Sequence, residues 1–330
     1  MTATVNERRA LFVTLSNIGD AVMTTPALQR LHEAMPEAKI DIIADARSGL
    51  IFEHCPYRGE IFLRDKRSGW RGLLHLIQRL RRRHYEVIAD LRTDGLAYLL
   101  RVKRRLLKRH VRAVYGHAVL RHLAIVAALE HRTAPPVTQI WLSPAEYAYA
   151  DGVLSRLPPG RWLALGPGAN WPPKIWPVEN YAALVEVVAD RFDCVIVCGG
   201  PGDTGLAAEL MQRLPMPAIN LAGTTDLLQV AAVIKRADCF VGNDSGLGHI
   251  AAAMGTPTVT VFGPGEADRY HPWGSVADWI VAPGKDLSRL EPRAVAARLN
   301  ILMSTPKPLA DGSGPLLQNA FSTPVQPLYR

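Results

Sequence analysis

The sequence is poor in the features that would place it outside the cytosol or give it a metal-built or membrane-built fold. It has only four cysteines, Cys55, Cys194, Cys198 and Cys239, and no Cys-x-x-Cys pair. No structural zinc pattern can be drawn from them. Cys194, Cys198 and Cys239 lie in apolar, strand-like runs where a reduced thiol acts as a small hydrophobe, so a reducing, cytosolic setting is expected. No apolar run approaches about 18 residues, which excludes a membrane-spanning helix from the reading. Residues 1–10 are polar and the apolar run after them stops at Asn17, too short for a secretory signal. Neither a Walker A loop nor a nucleophile elbow is found.

What is present suits two α/β domains. The 330 residues are too many for one ordinary domain, and 48% of them are hydrophobic, enough for two cores. The net charge of +8 is unevenly spread: residues 64–121 hold 17 Lys and Arg against 4 Asp and Glu, and the remainder holds 21 against 26. A segment carrying the whole basic excess favours an anionic partner: a phosphorylated glycolipid, an acidic membrane surface or nucleic acid. The plainer alternative is a set of solvated helix faces. Nucleic acid is disfavoured as a partner, because few aromatics, Trp70, Tyr85 and Tyr98 among them, interleave the cations as stacking platforms would.

Hydrophobic periodicity predicts a buried strand over 10–15, a helix over 22–35 and a strand over 40–44, together one βαβ unit. Basic helices are expected over 70–83 and 96–108, with a strand over 86–91 between them. Pro158-Pro159-Gly160 marks the expected boundary between domains 1–157 and 158–303. Beyond it, strands over 162–165, 194–198, 239–241 and 258–262 alternate with helices over 179–191, 206–214, 226–236 and 247–254. That spacing means a parallel sheet covered on both faces. A last helix is expected over 287–302, and residues 304–330, rich in Pro, Gly and Ser, read as an irregular tail. The expected architecture is α/β: two Rossmann-like, doubly wound domains facing across a cleft, with ligands at the carboxyl ends of the strands.

Four strand-to-helix junctions could carry chemistry. Ser16-Asn17-Ile18-Gly19-Asp20 delivers a carboxylate to the mouth of the first sheet. Asp20 is either a general base for a hydroxyl or an N-cap of the following helix. The Gly166–Pro177 loop holds Asn170 and, between two tryptophans, Lys174; a compact cation there suits a diphosphate, and an ordinary surface lysine is the alternative. Gly200-Pro201-Gly202-Asp203-Thr204-Gly205 matches G-x-G-x-x-G. However, it lies in the second half of the chain, Pro201 removes a backbone donor, and a firm ribose-binding acid is missing, so NAD binding is set aside. Gly242-Asn243-Asp244-Ser245-Gly246-Leu247-Gly248-His249 opens a helix whose N–H groups and dipole would favour an anion, with a plain cap and a packed His as the alternative. No Asp-x-Asp pair occurs, so the carboxylate pair that often holds Mg²⁺ or Mn²⁺ is absent. The expectation is therefore no metal, with Lys174 and a helix N-terminus neutralising a leaving diphosphate.

Together these segments resemble glycosyltransferase family 9, the bacterial lipopolysaccharide heptosyltransferases, across roughly residues 10 to 275. The likeness rests on Leu15–Pro26, on Gly166-Pro167-Gly168-Ala169-Asn170-Trp171 with Lys174 and Trp176-Pro177, on Asn243–Ala253, and on Gly255-Thr256-Pro257-Thr258 with Phe262-Gly263-Pro264. Pro173 and Asn170-Trp171 depart from the usual residues of the loop, and residues 64–121 match weakly. The resemblance implies a GT-B fold and an inverting, metal-independent transfer of heptose from ADP-heptose to a lipopolysaccharide-core or other anionic glycan acceptor. It makes Asp20 the catalytic base and Lys174 the group at the leaving diphosphate. It assigns Lys174, Asp244, Ser245, Gly246 and His249 to the donor; Asn170, Gly200, Asp203 and Thr225 are further candidates for the donor, and Ser16, Asn17 and Gly19 for the acceptor. No cofactor is expected, since the nucleotide-sugar is itself a substrate. A different nucleotide-sugar or acceptor, or an epimerase or hydrolase on the same scaffold, are the alternatives. Peripheral contact with the inner membrane and the oligomeric state stay open.

Overall fold

Short β-branched strands alternating with helices build two parallel sheets in a computed structural model that describes residues 8–92, 95–111, 116–129 and 134–304. The first sheet holds β1 (Arg9–Val13), β2 (Lys39–Ala44), β3 (Arg58–Leu63), β4 (Tyr85–Asp90) and β5 (Val102–Leu107), in the order β3-β2-β1-β4-β5. Ala10 of β1 faces Ile40 on one side and Val87 on the other. The second sheet holds β6 (Trp162–Gly166), β7 (Cys194–Val197), β8 (Ala218–Asn220), β9 (Cys239–Asn243), β10 (Thr258–Phe262) and β11 (Ala277–Val281), in the order β11-β10-β9-β6-β7-β8. Every strand pair is parallel. Central strands such as Leu11-Phe12-Val13 and Val195-Ile196-Val197 are fully buried because helices cover both faces.

Both orders reverse direction beside the first strand of the sheet, between β1 and β4 and between β6 and β9. At such a switch point the connections leave on opposite faces and open a crevice at the carboxyl ends of the strands. The two doubly wound domains expected from the pattern are therefore present, and their crevices face each other. Helix Ile18–Val22, after β1, packs against helix Gly246–Ala253, after β9. Further bridges fix the arrangement. Thr138 Oγ1 donates to the Trp273 carbonyl at 2.7 Å, Trp273 Nε1 donates to the Pro136 carbonyl at 3.1 Å, and His117 Nε2 donates to the His271 carbonyl at 2.8 Å. Helix Pro144–Leu154 lies on helix Leu227–Arg236, where Ala150 and Leu154 share a core with Ala231 and Ile234.

Three expected elements differ. The helix over 96–108 is absent: Gly95–Tyr98 makes one turn and Val102–Leu107 is the edge strand β5, paired to β4. Its cations looked like a helix face; on an edge strand Lys103 and Arg104 project to solvent, and charge there discourages further pairing. The Arg105 guanidinium donates to the carbonyls of Ala97, Leu100 and Val102 and ties the turn to the strand. The first helix starts earlier than expected, as Ile18–Val22, and restarts as Thr25–Ala34 with Pro26 in its first turn. The last helix is Pro292–Ser304, with Leu287–Arg289 a separate 3₁₀ turn. The tail beyond 304 lies outside the described residues.

Candidate functional site

The facing switch points enclose a cleft of about 540 Å³. Its first wall comes from the turn after β1: Ser16, Asn17, Gly19 and Asp20. Its second comes from the loop after β6, with Asn170 and Lys174, and from the junction after β9, with Asp244, Ser245, Gly246 and His249. Residues far apart in sequence meet here because parallel sheets deliver every strand's carboxyl end to the same rim.

Asp20 is the third residue of helix Ile18–Val22; Asn17 stands at the N-cap, so the reading of Asp20 as the cap is corrected. The Asn17 amide donates to Asp20 Oδ2 at 2.9 Å, orienting the carboxylate at the cleft mouth while it stays half-exposed. Lys174 Nζ lies 2.6 Å from Asp244 Oδ2, a cation held against a buried carboxylate on the second wall. The loop that carries Lys174 is pinned from below by Asn243, the last residue of β9. Fully buried, Asn243 donates to the Pro167 carbonyl at 2.7 Å and accepts from the Trp176 N–H at 3.0 Å and the Tyr181 hydroxyl at 2.9 Å. Asn243 lay inside the motif after β9 without an assigned role; its anchoring is visible only once the loop is folded onto the strand.

Helix Gly246–Ala253 points its N-terminus into the cleft. Its N-cap, Ser245, makes no side-chain capping bond; its buried Oγ has no hydrogen-bond partner, nor does His249 Nδ1. Burial, with the nearby His271 and Lys174 charges, pushes the His249 imidazole down to about 4, so it is neutral at neutral pH. The two walls touch closely. A Cβ on Gly19 would lie 2.6 Å from His249 Cδ2, and one on Gly246 would lie 3.1 Å from the Ile18 side chain.

Gly200, Asp203 and Thr225 are not on this cleft. Asp203 turns back to accept from the Gly200 N–H at 2.8 Å, and its carboxylate fills the space beside Gly168. Of the three, Asp203 meets the Lys174 loop, at Gly168. Conversely, Arg47, Glu266 and Tyr270 line the cleft without having been singled out. Glu266 follows closely on the Phe262-Gly263-Pro264 motif, which was the available signal; Arg47 has none, because only the β2-to-β1 neighbourhood brings it there. A second hollow of about 360 Å³ adjoins Asp20 and is lined by Lys108, Arg121, His122 and Arg269. Among the described residues no three His, Cys, Asp or Glu side chains gather as metal ligands. No described helix is long and apolar enough to cross a membrane.

The chain is similar to known proteins. The chain is 25% identical over 289 residues to lipopolysaccharide heptosyltransferase 3 of Escherichia coli K12, covering 77% of this chain and 82% of that protein. Its fold superposes on a glycosyl transferase family 9 structure from Veillonella parvula with a TM-score of 0.80 at 19% identity, covering 91% and 98% of the two chains. It also superposes on E. coli heptosyltransferase WaaC with ADP, TM-score 0.73 at 24% identity, covering 89% and 99%. The expected GT-B architecture is thus the observed one. The family model for glycosyltransferase family 9 (heptosyltransferase) matches residues 94–291, well over half of the sequence, and the chain belongs to that family of glycosyltransferases.

Proposed function

We propose that the protein transfers heptose from ADP-heptose, with inversion and without a metal or other cofactor, onto an anionic glycan of the lipopolysaccharide-core type. The observation that carries this reading is the position of Asp20, on the partition between two hollows that both suit anions. On one side stand Lys174, Asp244 and the N-terminus of helix Gly246–Ala253, suited to a nucleoside diphosphate. On the other, Lys108, Arg121 and Arg269 suit an acceptor bearing carboxylates or phosphates.

In this reading Asp20 takes the proton from the acceptor hydroxyl as its oxygen attacks the anomeric carbon from the face opposite the diphosphate. The departing negative charge is stabilised by Lys174 and by the first-turn N–H groups of helix Gly246–Ala253. Asp244 accepts from donor hydroxyls, and Ser245 and His249 offer the polar atoms that now lack partners. Asn170 borders the donor, and Ser16, Asn17 and Gly19 border the acceptor; Asp203 supports the donor loop from behind, at Gly168. The ADP in the structure of WaaC supports the choice of nucleotide.

Calorimetric titration with ADP, UDP, GDP, CDP and NAD in metal-free buffer tests the donor. Selective ADP binding is expected. Preference for another nucleoside diphosphate would discard heptose, and binding of NAD alone would overturn the transferase site.

A further inference from the structure

The most exposed large hydrophobic side chain among the described residues is Trp70, at 68%. It has apolar company: Leu63 is 56% exposed and Leu74 47%. Trp70 and Leu74 are neighbours one turn apart on helix Gly69–Arg81, beside the stripe of Leu76, Ile77 and Leu80 that is buried against the sheet. The outer pair is therefore surplus to the core. Leu63 ends β3, and with Trp70 and Leu73 it borders a hollow of about 410 Å³ with Arg64 at its lip.

The surrounding charge is mostly positive. Arg64, Arg67 and Arg71 make no ion pair with a described residue, and the Arg71 guanidinium lies 5.5 Å from the Trp70 ring centroid. The one acid between them, Asp65, accepts the backbone N–H of Arg67 at 2.8 Å. Position adds meaning. Leu63 and Trp70 follow the carboxyl end of β3, and Asp20 follows the carboxyl end of β1 on the same rim. Two strand spacings, about 10 Å, separate the strands.

We infer that this rim docks on an anionic lipid bilayer. Trp70 and Leu74 enter the headgroup region, where an amphipathic ring and an aliphatic chain are both solvated favourably. Arg64, Arg67 and Arg71 face acidic headgroups. The mouth of the catalytic cleft then opens beside the bilayer, so a lipid-borne acceptor reaches Asp20 without leaving it. That consequence, though not the docking itself, rests on the function proposed above.

The test is flotation of the full-length protein with vesicles of 30% phosphatidylglycerol in phosphatidylcholine, and with phosphatidylcholine alone, at 50 and 300 mM salt. Binding is expected to acidic vesicles, at least tenfold weaker without the acidic lipid or at high salt. Trp70→Ser/Leu74→Ser is expected to lose at least tenfold in vesicle affinity, Trp70→Phe to keep most of it, and Arg64→Gln/Arg67→Gln/Arg71→Gln to lose the preference for acidic lipid. Wild-type affinity in the Trp70/Leu74 variant, or no vesicle binding by the wild type, overturns the inference. So does a wild-type dimer that the same variant converts to monomer, since a second copy would then cover the patch. ADP titration in parallel separates the two proposals: loss of ADP binding in the wild type would refute the proposed donor while leaving the vesicle result intact.

Discussion

Gly19 and His249 sit so close across the cleft that a Cβ on Gly19 would lie 2.6 Å from the imidazole Cδ2. The wall after β1 and the wall after β9 touch here with no room for a methyl group. Gly19→Ala should force the buried ring or the helix to move. The expected result is a loss of about 1–3 kcal/mol of stability, typical of overpacking, together with a fall in kcat, read by thermal melting and initial rates. An unchanged Tm and rate would show that the walls move apart freely.

Asp20→Asn keeps the size and the hydrogen bonding of the side chain while removing its basicity. Transfer should fall by about 10²–10⁴-fold, with the Kd for ADP unchanged by calorimetry. Near-normal turnover would remove Asp20 from the chemistry.

Lys174→Ala should raise the Kd for ADP by about 10–100-fold, the range expected for a charge-assisted contact of about 1.5–3 kcal/mol, and should lower kcat as well. Retained nucleotide affinity would mean that Lys174 serves only to neutralise Asp244, 2.6 Å away.

Asn243→Ala tests whether the loop carrying Lys174 is positioned from beneath. The Pro167 carbonyl and the Trp176 N–H would both lose their Asn243 partner in a buried place. Each unsatisfied group costs about 1–3 kcal/mol. A lower Tm and a weaker Kd for ADP are expected together; lost stability with full ADP affinity would make Asn243 purely a core residue.

Acid should loosen the contact between the domains. Burial pushes His117 down to about 3 and holds His271 below the usual histidine value, and His117 donates to the His271 carbonyl across the interface. Unfolded, both return to about 6.5. Between the folded and unfolded values the unfolded chain binds protons that the folded chain refuses, so stability is full above about pH 6.5 and declines as pH falls below it. At pH 5 His117 contributes a loss of about 2 kcal/mol, and His271 adds to it in the same direction. Melting at pH 7.5 and pH 5 should show the drop, and His117→Asn, which retains a capping side chain, should shallow it. A Tm independent of pH over this range would contradict the assignment.

The fold class and most of the cleft could be read from local chemistry. A buried apolar strand followed by Gly and Asp, or by Asp-Ser-Gly, carries its own turn and helix start. The parallel sheet then sends all such junctions to one rim, which is why Asp20, Lys174, Asp244 and His249 converge. Residues 102–107 misled because a run of Lys and Arg is equally compatible with a helix face and an edge strand; only the free edge of β4 decides between them. The G-x-G-x-x-G segment likewise has the right spacing for a ligand loop, yet Asp203 folds back onto Gly200 and fills the space beside Gly168.

By itself the sequence determined the alternation of strands and helices, the cations and carboxylates available, and the absence of an Asp-x-Asp pair, because each depends on neighbours within a few residues. Tertiary structure alone decided that Asn243 anchors the donor loop, that Arg47 and Glu266 reach the cleft, that Lys108 and Arg121 gather beside Asp20, and that Trp70 faces outward. Those outcomes depend on strand order and on the meeting of two domains, which bring together residues that no local pattern connects.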